Sequence, residues 1–409
     1  MSGPHDAVFS LLHDALAQPA QASRRLKQLF RTHKDLTDVE RGVIADTVLG
    51  TLCFRRRLQA QAGCDDVDVW AALYWREVRQ ERPPPWLDDV EVVAQPLPST
   101  TDPAALSIVH SLPEWLVDSW AQRLALADLQ ELLPFLNAKA PVWARLYDDN
   151  AVDVLRADGI EALRHSQLAS AATLTSTTGR LNIWGSSAWQ QGLFEVQDLG
   201  SQLIVHALHD VTGDVLDVCA GAGGKTLALV HDVGKKVFAS DVDEQALQNL
   251  RARWRRHQRR GAVGLAEIRA GDITTTPLWG RRFDAVVVDA PCSSTGTLRR
   301  GPARRWCVAP GDVARHAHLQ QRILQAASSL VVDGGVLLYA TCSLQRQENE
   351  DVVERFLDDN KAFQLESLPF DSELLCAIGG IRDEAMLTLW PHRAGTDGFF
   401  MARLRQVGC

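Results

Sequence analysis

Residues 215–226 read Val-Leu-Asp-Val-Cys-Ala-Gly-Ala-Gly-Gly-Lys-Thr. Val215 to Val218 is a short apolar run of strand type, and it passes through a glycine-rich turn into a segment with helical spacing. Glycine lets the backbone approach a ligand closely, and in open α/β folds ligands bind at the carboxyl ends of the strands. Two familiar nucleotide loops are excluded by single residues. A phosphate loop needs glycine five positions before Gly224, where Cys219 stands; a dinucleotide fingerprint starting at Gly221 needs glycine at 226, where Thr226 stands. The turn suits a nucleoside but is not built around a pyrophosphate.

Working outward, further apolar runs of strand type occur at Lys236 to Ala239, Ala285 to Val288 and Val336 to Tyr339, with helical segments between them. Strands alternating with helices predict a parallel sheet covered on both faces. Asp241-Val242-Asp243 lies twenty residues after Gly221, at the end of the second strand, where an acid can accept from both ribose hydroxyls. Gly271-Asp272 stands after the next strand, where a carboxylate can accept from an adenine amino group. One such acid is as often a solvated strand end as a ligand. In register with the glycine loop they predict an adenosyl site.

The next two strand ends carry Asp289-Ala290-Pro291-Cys292-Ser293-Ser294-Thr295-Gly296 and Thr341-Cys342-Ser343. A lone cysteine is more often a buried apolar side chain than a nucleophile. Two on neighbouring strand ends beside an aspartate fit a specific chemistry. Carbon 5 of cytosine is a poor nucleophile, and a thiolate adding to carbon 6 makes it a good one, helped by a proton donor at the ring nitrogen.

Composition sets the frame. At 409 residues the chain predicts two or three domains, and 46% hydrophobic with 23% charged residues is ordinary globular composition. No run of about 18 apolar residues and no leader-like N-terminus are present, which predicts a cytoplasmic protein without membrane contact. The eight cysteines (53, 64, 219, 292, 307, 342, 376 and 409) form no CxxC pair, so neither a disulfide framework nor a metal site is expected. The net charge of −8 argues against nucleic acid, but Gln245 to Arg305 holds thirteen arginines against four acids. That local excess predicts RNA contacts from Arg251, Arg255, Arg256, Arg259, Arg299 and Arg300, against the plainer alternative of a solvated helix face.

The first 138 residues read as successive helices. Thr37-Asp38-Val39-Glu40 is a capping box opening a helix that carries Ile44, Val48 and Leu52 on one stripe. From 139 to 195 the texture predicts a small α+β unit with strands near Val142 to Tyr147 and Ala172 to Leu174 and a helix near Ala151 to Leu163. Residues 196–409 form the α/β domain.

These motifs, together with Val196-Gln197-Asp198-Leu199-Gly200-Ser201-Gln202-Leu203, Tyr339 to Ser343 and Thr396-Asp397-Gly398-Phe399-Phe400, resemble the Sun (Fmu), RsmB-like family of RNA cytosine-5 methyltransferases. The resemblance implies a class I, Rossmann-like methyltransferase domain that uses S-adenosyl-L-methionine. It implies Cys342 as the nucleophile, Cys292 as the residue assisting release of the product, Asp289 and Lys225 as contacts to the target cytosine, and Cys219, Ala220, Gly221, Ala222, Gly223, Gly224, Lys225, Asp241, Asp272 and Asp289 as the residues around the cofactor. The helical part resembles a NusB-like domain, and the small unit a ferredoxin-like one. Two departures stand out: Ala222 occupies the family's usual proline, and Arg145-Leu146-Tyr147 replaces its Arg-x-Asn strand.

The expected protein is a monomeric enzyme acting on RNA, ribosomal RNA in the first place. A tRNA methyltransferase of the same chemistry and a non-catalytic RNA-binding scaffold are the competing readings, the second disfavoured by the presence of both cysteines, Asp289 and Lys225. A DNA cytosine methyltransferase would place its nucleophile on the Pro-Cys motif and leave Cys342 without a task.

Overall fold

A computed structural model gives the structure of the chain and describes residues 4–177, 179, 181–233, 236–379 and 385–408; Cys409 lies outside them. The chain divides into two compact units. One runs up to Lys139 and takes in Leu298–Pro310, and the other comprises Ala140–Thr297 and the chain from Gly311 onward.

The first unit is helical, with Asp38–Ala62 as its longest helix. Thr37 caps that helix: its side chain accepts from the Glu40 amide while the Glu40 carboxylate accepts from the Thr37 amide, satisfying two otherwise orphan donors. Ile44, Val48 and Leu52 are buried among Val8, Leu12, Leu26 and Trp70. The segment Leu298–Pro310 is bound into this unit by polar contacts as well as packing. Arg305 donates to the Ser111 carbonyl (3.2 Å) and to Asn137 Oδ1 (2.7 Å), and the Trp306 indole donates to the Leu52 carbonyl (2.7 Å) with Arg55 stacked on its ring.

The second unit holds two sheets. The smaller is antiparallel, in the order β2-β3-β1-β4, from β1 (Val142–Leu146), β2 (Ile160–Arg164), β3 (Ala171–Ser176) and β4 (Phe194–Val196). The helix expected up to Leu163 is short, Ala151–Ala157. Gly159, at φ +75°, turns the chain there, and Ile160 to Arg164 runs on as a strand in which Glu161 and Leu163 are exposed and Ile160, Ala162 and Arg164 are more covered.

The larger sheet contains β5 (Val215–Asp217), β6 (Val237–Asp241), β7 (Leu265–Ala270), β8 (Phe283–Asp289), β9 (Val331–Thr341), β10 (Phe363–Leu365), β11 (Met386–Leu389) and β12 (Phe399–Gln406). Their order is β10-β12-β9-β8-β5-β6-β7, with β11 also paired to β12. β5 to β9 are parallel and β12 is antiparallel to β9. Alternate strand residues feed two cores. Val215, Ala239, Ala285 and Val287 meet the helices Leu199–His206 and Gly224–Val233, whereas Leu216, Phe238, Val286 and Val288 meet Ile323, Leu324, Val353 and Phe356 from the other face. From β5 the chain steps outward to β6 and β7, then crosses back to β8. That reversal opens a crevice at the carboxyl ends of the strands.

Candidate functional site

The glycine loop fills the mouth of that crevice. Gly221 and Gly223 have φ of +52° and +83°, a region that favours glycine, and a Cβ on Gly223 would lie 2.2 Å from Leu250 Cδ1. The Gly221 amide donates to Asp241 Oδ2 (2.7 Å), so the end of β6 and the loop after β5 are tied together. Asp243 has a different task from Asp241. It caps the helix Glu244–Gln258, accepting from the Gln245 and Ala246 amides, and leaves Asp241 at the cleft. Ala222, in place of proline, keeps its turn because the Arg253 guanidinium donates to its carbonyl (2.7 Å).

A cleft of about 420 Å³ lies against this loop, lined by Cys219, Asp241, Val242, Asp272, Asp289 and Leu319 among others. It combines three carboxylates with apolar walls, acceptors and surfaces suited to the hydroxyls, amine and ring of a nucleoside. Burial pushes the Cys219 thiol up, with Asp217 and Asp241 adding to the effect, so it packs as an apolar neighbour of the cleft. Asp217, beneath the loop, is raised to about 7 by burial, although Thr226 Oγ1 donates to it at 2.7 Å.

The two cysteines come together because β8 and β9 are neighbours in parallel register, with Asp289 beside Ala340. Cys292 Sγ and Cys342 Sγ are 3.3 Å apart. Lys225 Nζ donates to Asp289 Oδ2 at 2.5 Å and lies 5.8 Å from the centre of the Phe399 ring. The pair is electrically asymmetric. Cys342 is shifted below the usual thiol range by its hydrogen bond with Cys292, against the opposing effect of burial and with help from Ser294 and Lys225. Cys292 is pushed well up by the same contact, by burial and by the charges of Cys342 and Glu348. Of the two sulfurs, Cys342 is therefore the one favoured toward the thiolate, which is the reactive form.

Several residues outside the sequence-derived site brace it. Gln197 donates to the Gly224 carbonyl (3.0 Å), and Asp198 accepts from the amides of Gly200 and Asp397. Gly398 donates to the Gly296 carbonyl (2.8 Å) while Gly296 donates to the Cys342 carbonyl (3.0 Å). A Cβ on Gly296 would sit 2.1 Å from the Gly398 carbonyl oxygen, so glycine is required there. The Thr396 to Phe400 motif is thus a backbone clamp on the Pro-Cys loop. Glu348, fully buried, is the residue that sequence reading missed. The polar cluster Gln345-Arg346-Gln347-Glu348-Asn349, one residue after Thr-Cys-Ser, was its only visible signal.

The arginines do not form the single basic face that their number suggested. Arg251 pairs with Glu244 (2.6 Å), and Arg256 pairs with Glu195 while stacking on Trp189. Arg253 reaches Glu195 (3.1 Å), and Arg260 pairs with Asp148. Arg255 and Arg259 are exposed. In the helical unit Arg300 is exposed, whereas Arg299 is buried over the Phe135 ring. Arg256 and Arg299 thus serve packing, and the surface left for a phosphate backbone is narrower than predicted.

Comparison with known proteins agrees with this architecture. The family model described as 16S rRNA methyltransferase RsmB/F matches residues 205–405. A ribosomal RNA small subunit methyltransferase B of Pasteurella multocida is 32% identical over 313 residues, covering 73% of this chain and 66% of that protein. The protein of the same name from Vibrio vulnificus is 30% identical over 312 residues, covering 73% and 68%. The chain thus spans about two thirds of the length of these relatives. Among solved structures, PH0851 shares the fold across 99% of both chains, with a TM-score of 0.77 at 21% identity. NSun6 from Pyrococcus horikoshii matches 74% of this chain and all of its own, with a TM-score of 0.64 at 18% identity. Sheet order, cysteine pair and sequence kinship converge, and this chain belongs to the RsmB/F methyltransferase family.

Proposed function

We propose that the chain methylates carbon 5 of a cytosine in RNA, with small-subunit ribosomal RNA as its substrate. The observation that carries this reading is the pair of thiols 3.3 Å apart on adjacent strand ends, beside the Lys225–Asp289 ion pair. The ribosomal substrate is supported by what the relatives are named for.

The cleft suits an adenosyl methyl donor: Asp241 and Asp272 on its wall can accept from ribose hydroxyls and an adenine amine, and Val242, Ile273, Leu319 and Ile323 supply apolar walls. S-adenosylmethionine supplies an electrophilic methyl group when bound there. The chain's own residues do the rest. Cys342 Sγ adds to carbon 6 of the cytosine, and the ring double-bond pair shifts so that carbon 5 becomes nucleophilic. Lys225 and Asp289 hold the base at its polar edge, where a proton on the ring nitrogen offsets the charge that develops. Once carbon 5 carries the methyl group, its proton leaves to a base, the double bond re-forms and Cys342 departs as thiolate. Cys292, in contact with Cys342, assists this last step.

Bisulfite sequencing of RNA incubated with the protein and S-adenosylmethionine tests the reading. A cytosine newly protected from conversion in small-subunit ribosomal RNA is expected. Protection confined to transfer RNA would move the substrate, and none in any RNA would overturn the reaction.

A further inference from the structure

The Pro-Cys loop and the Thr-Cys-Ser loop are joined beneath the cysteines by one side chain. Glu348 Oε1 accepts from the Ser293 amide (2.7 Å) and from Gln320 Nε2 (3.2 Å); Oε2 accepts from the hydroxyls of Ser293 and Ser343, each at 2.5 Å. The flanking residues extend the network. The Tyr339 hydroxyl donates to the Glu348 carbonyl, Thr341 Oγ1 donates to Asn349 Oδ1 (2.7 Å), and Asn349 Nδ2 donates to the Ser343 carbonyl (2.9 Å). Each cysteine therefore has a neighbouring serine held by the same carboxylate: Ser293 follows Cys292, and Ser343 follows Cys342. A buried carboxylate with four donors around it is satisfied as an anion, and its field is poorly screened by solvent.

We infer that Glu348 is a positioning residue of the cysteine pair: it locks the two loops in register, and its negative charge keeps the shared proton on Cys292, leaving Cys342 as the thiolate. Two electrostatic effects point the same way as this geometry. Glu348 is among the charges that push Cys292 up, whereas Lys225 acts on Cys342 in the opposite direction. Other groups facing the pair add to this asymmetry or oppose it. Asp289 opposes a thiolate at Cys342, Ser294 favours one there, and Tyr339 is itself pushed far up by burial and so stays neutral. Glu348, held beneath both loops, and Lys225, paired with Asp289, thus bias the pair in the same sense. The inference rests on the covalent-cysteine reading above, but its test requires neither RNA nor methyl donor, so the two can fail separately.

The test is the rate of iodoacetamide alkylation at each cysteine, resolved by peptide mass spectrometry across pH 6 to 10 on the full chain. In the parent protein Cys342 should react before Cys292 near neutral pH; the reverse order sinks the inference without any variant. Glu348→Gln retains an acceptor for the Ser293 amide, and both serine hydroxyls can turn to accept from the new amide group, so the loops keep their contacts while the charge goes. Selectivity for Cys342 should then fall about tenfold, the equivalent of one pKa unit between the two thiols. Ser343→Ala removes one contact of the carboxylate but not its charge, and should lower thermal stability while leaving selectivity in place. Equal selectivity in the parent and Glu348→Gln, or its loss in Ser343→Ala as well, would reduce Glu348 to a structural tie. Should Glu348→Gln not fold, the Ser343→Ala result and the parent's order of alkylation still decide the matter.

Discussion

Cys342 and Cys292 are 3.3 Å apart, yet substitution should separate them completely. Cys342→Ala removes the group that activates carbon 5, so methyl transfer should vanish while RNA and S-adenosylmethionine still bind. Cys292→Ala should permit transfer but slow release, leaving a covalent protein–RNA adduct visible on a denaturing gel. That adduct should require the methyl donor and disappear when Cys342 is also replaced; trapping by Cys342→Ala instead would exchange the two roles. Asp241 gives a second test at this scale. Its carboxylate accepts from the amides of Gly221 and Asp243, so it shapes the loop as well as facing the cleft. Asp241→Ala should weaken S-adenosylmethionine binding by ~1.5–3 kcal/mol, about 10- to 150-fold in calorimetric titration. Unchanged affinity would remove Asp241 from the site.

At the scale of elements, the loop after β5 and the helix Glu244–Gln258 make the sharpest forecasts. Gly221 and Gly223 both have positive φ, but only Gly223 faces a neighbour, Leu250, which is fully buried. Gly221→Ala should cost roughly 1–2 kcal/mol of stability from backbone strain alone, and Gly223→Ala more, because Leu250 must also move. Chemical denaturation that ranks them the other way would contradict the packing. On the helix, reversing Arg255 and Arg259 to Glu should flatten the salt dependence of RNA binding without altering stability, whereas Arg256→Glu should destabilise the fold by opposing Glu195. If the double reversal leaves the salt slope intact, this face does not meet RNA. The helix also shows where sequence reading ran out. An arginine's partner lies on another element, 61 residues away for Arg256, and no local pattern announces it. β5, β6, β8 and β9 were legible because central parallel strands are buried on both faces and read as apolar runs. β12 was not read as a strand, since Arg403 and Arg405 interrupt its apolar run. Yet Arg403 is buried there, neutralised by Asp210 and Glu366. Both cysteines and Lys225 were visible as motifs, because short chemistry-bearing sequences sit at strand ends. Glu348 was not, because apart from Ser343 its side-chain partners, Gln320 and Ser293, lie 28 and 55 positions distant.

For the molecule as a whole, acid stability should be set where the small sheet meets the large one. Glu195 on β4 accepts from His257 and pairs with Arg253 and Arg256, and His231 lies 3.0 Å from His257 under the Tyr147 ring. Burial, with the charges of His257, Arg145 and Arg260, holds His231 down at about 4, below the 6.5 of a free histidine. The unfolded chain therefore takes up that proton first. This contribution to stability is whole above pH 6.5 and drains away as pH falls toward 4. Glu195 follows in a lower window. Burial acts to raise it, but His257, Arg253 and Arg256 prevail and hold it at about 2, so its contribution is whole above pH 4.5 and is lost on the way to 2. Urea unfolding midpoints should fall in these two steps. Glu195→Gln should abolish the lower one; a parent protein equally stable at pH 7 and pH 4 would refute the assignment.

The excursion of Leu298–Pro310 into the helical unit has a consequence for how such a protein can be divided or recombined. A break in the gene after codon 139 looks like a clean seam, but it would leave Arg305 and Trp306 behind, cut off from Ser111, Asn137 and Leu52. The C-terminal fragment should then carry a buried arginine and an indole with no partners, and be prone to aggregate unless residues 1–139 are supplied in trans. Inheritance faces the same constraint. A helical part exchanged for a foreign one must arrive matched to thirteen residues encoded far downstream, so the two stretches should change together or not at all.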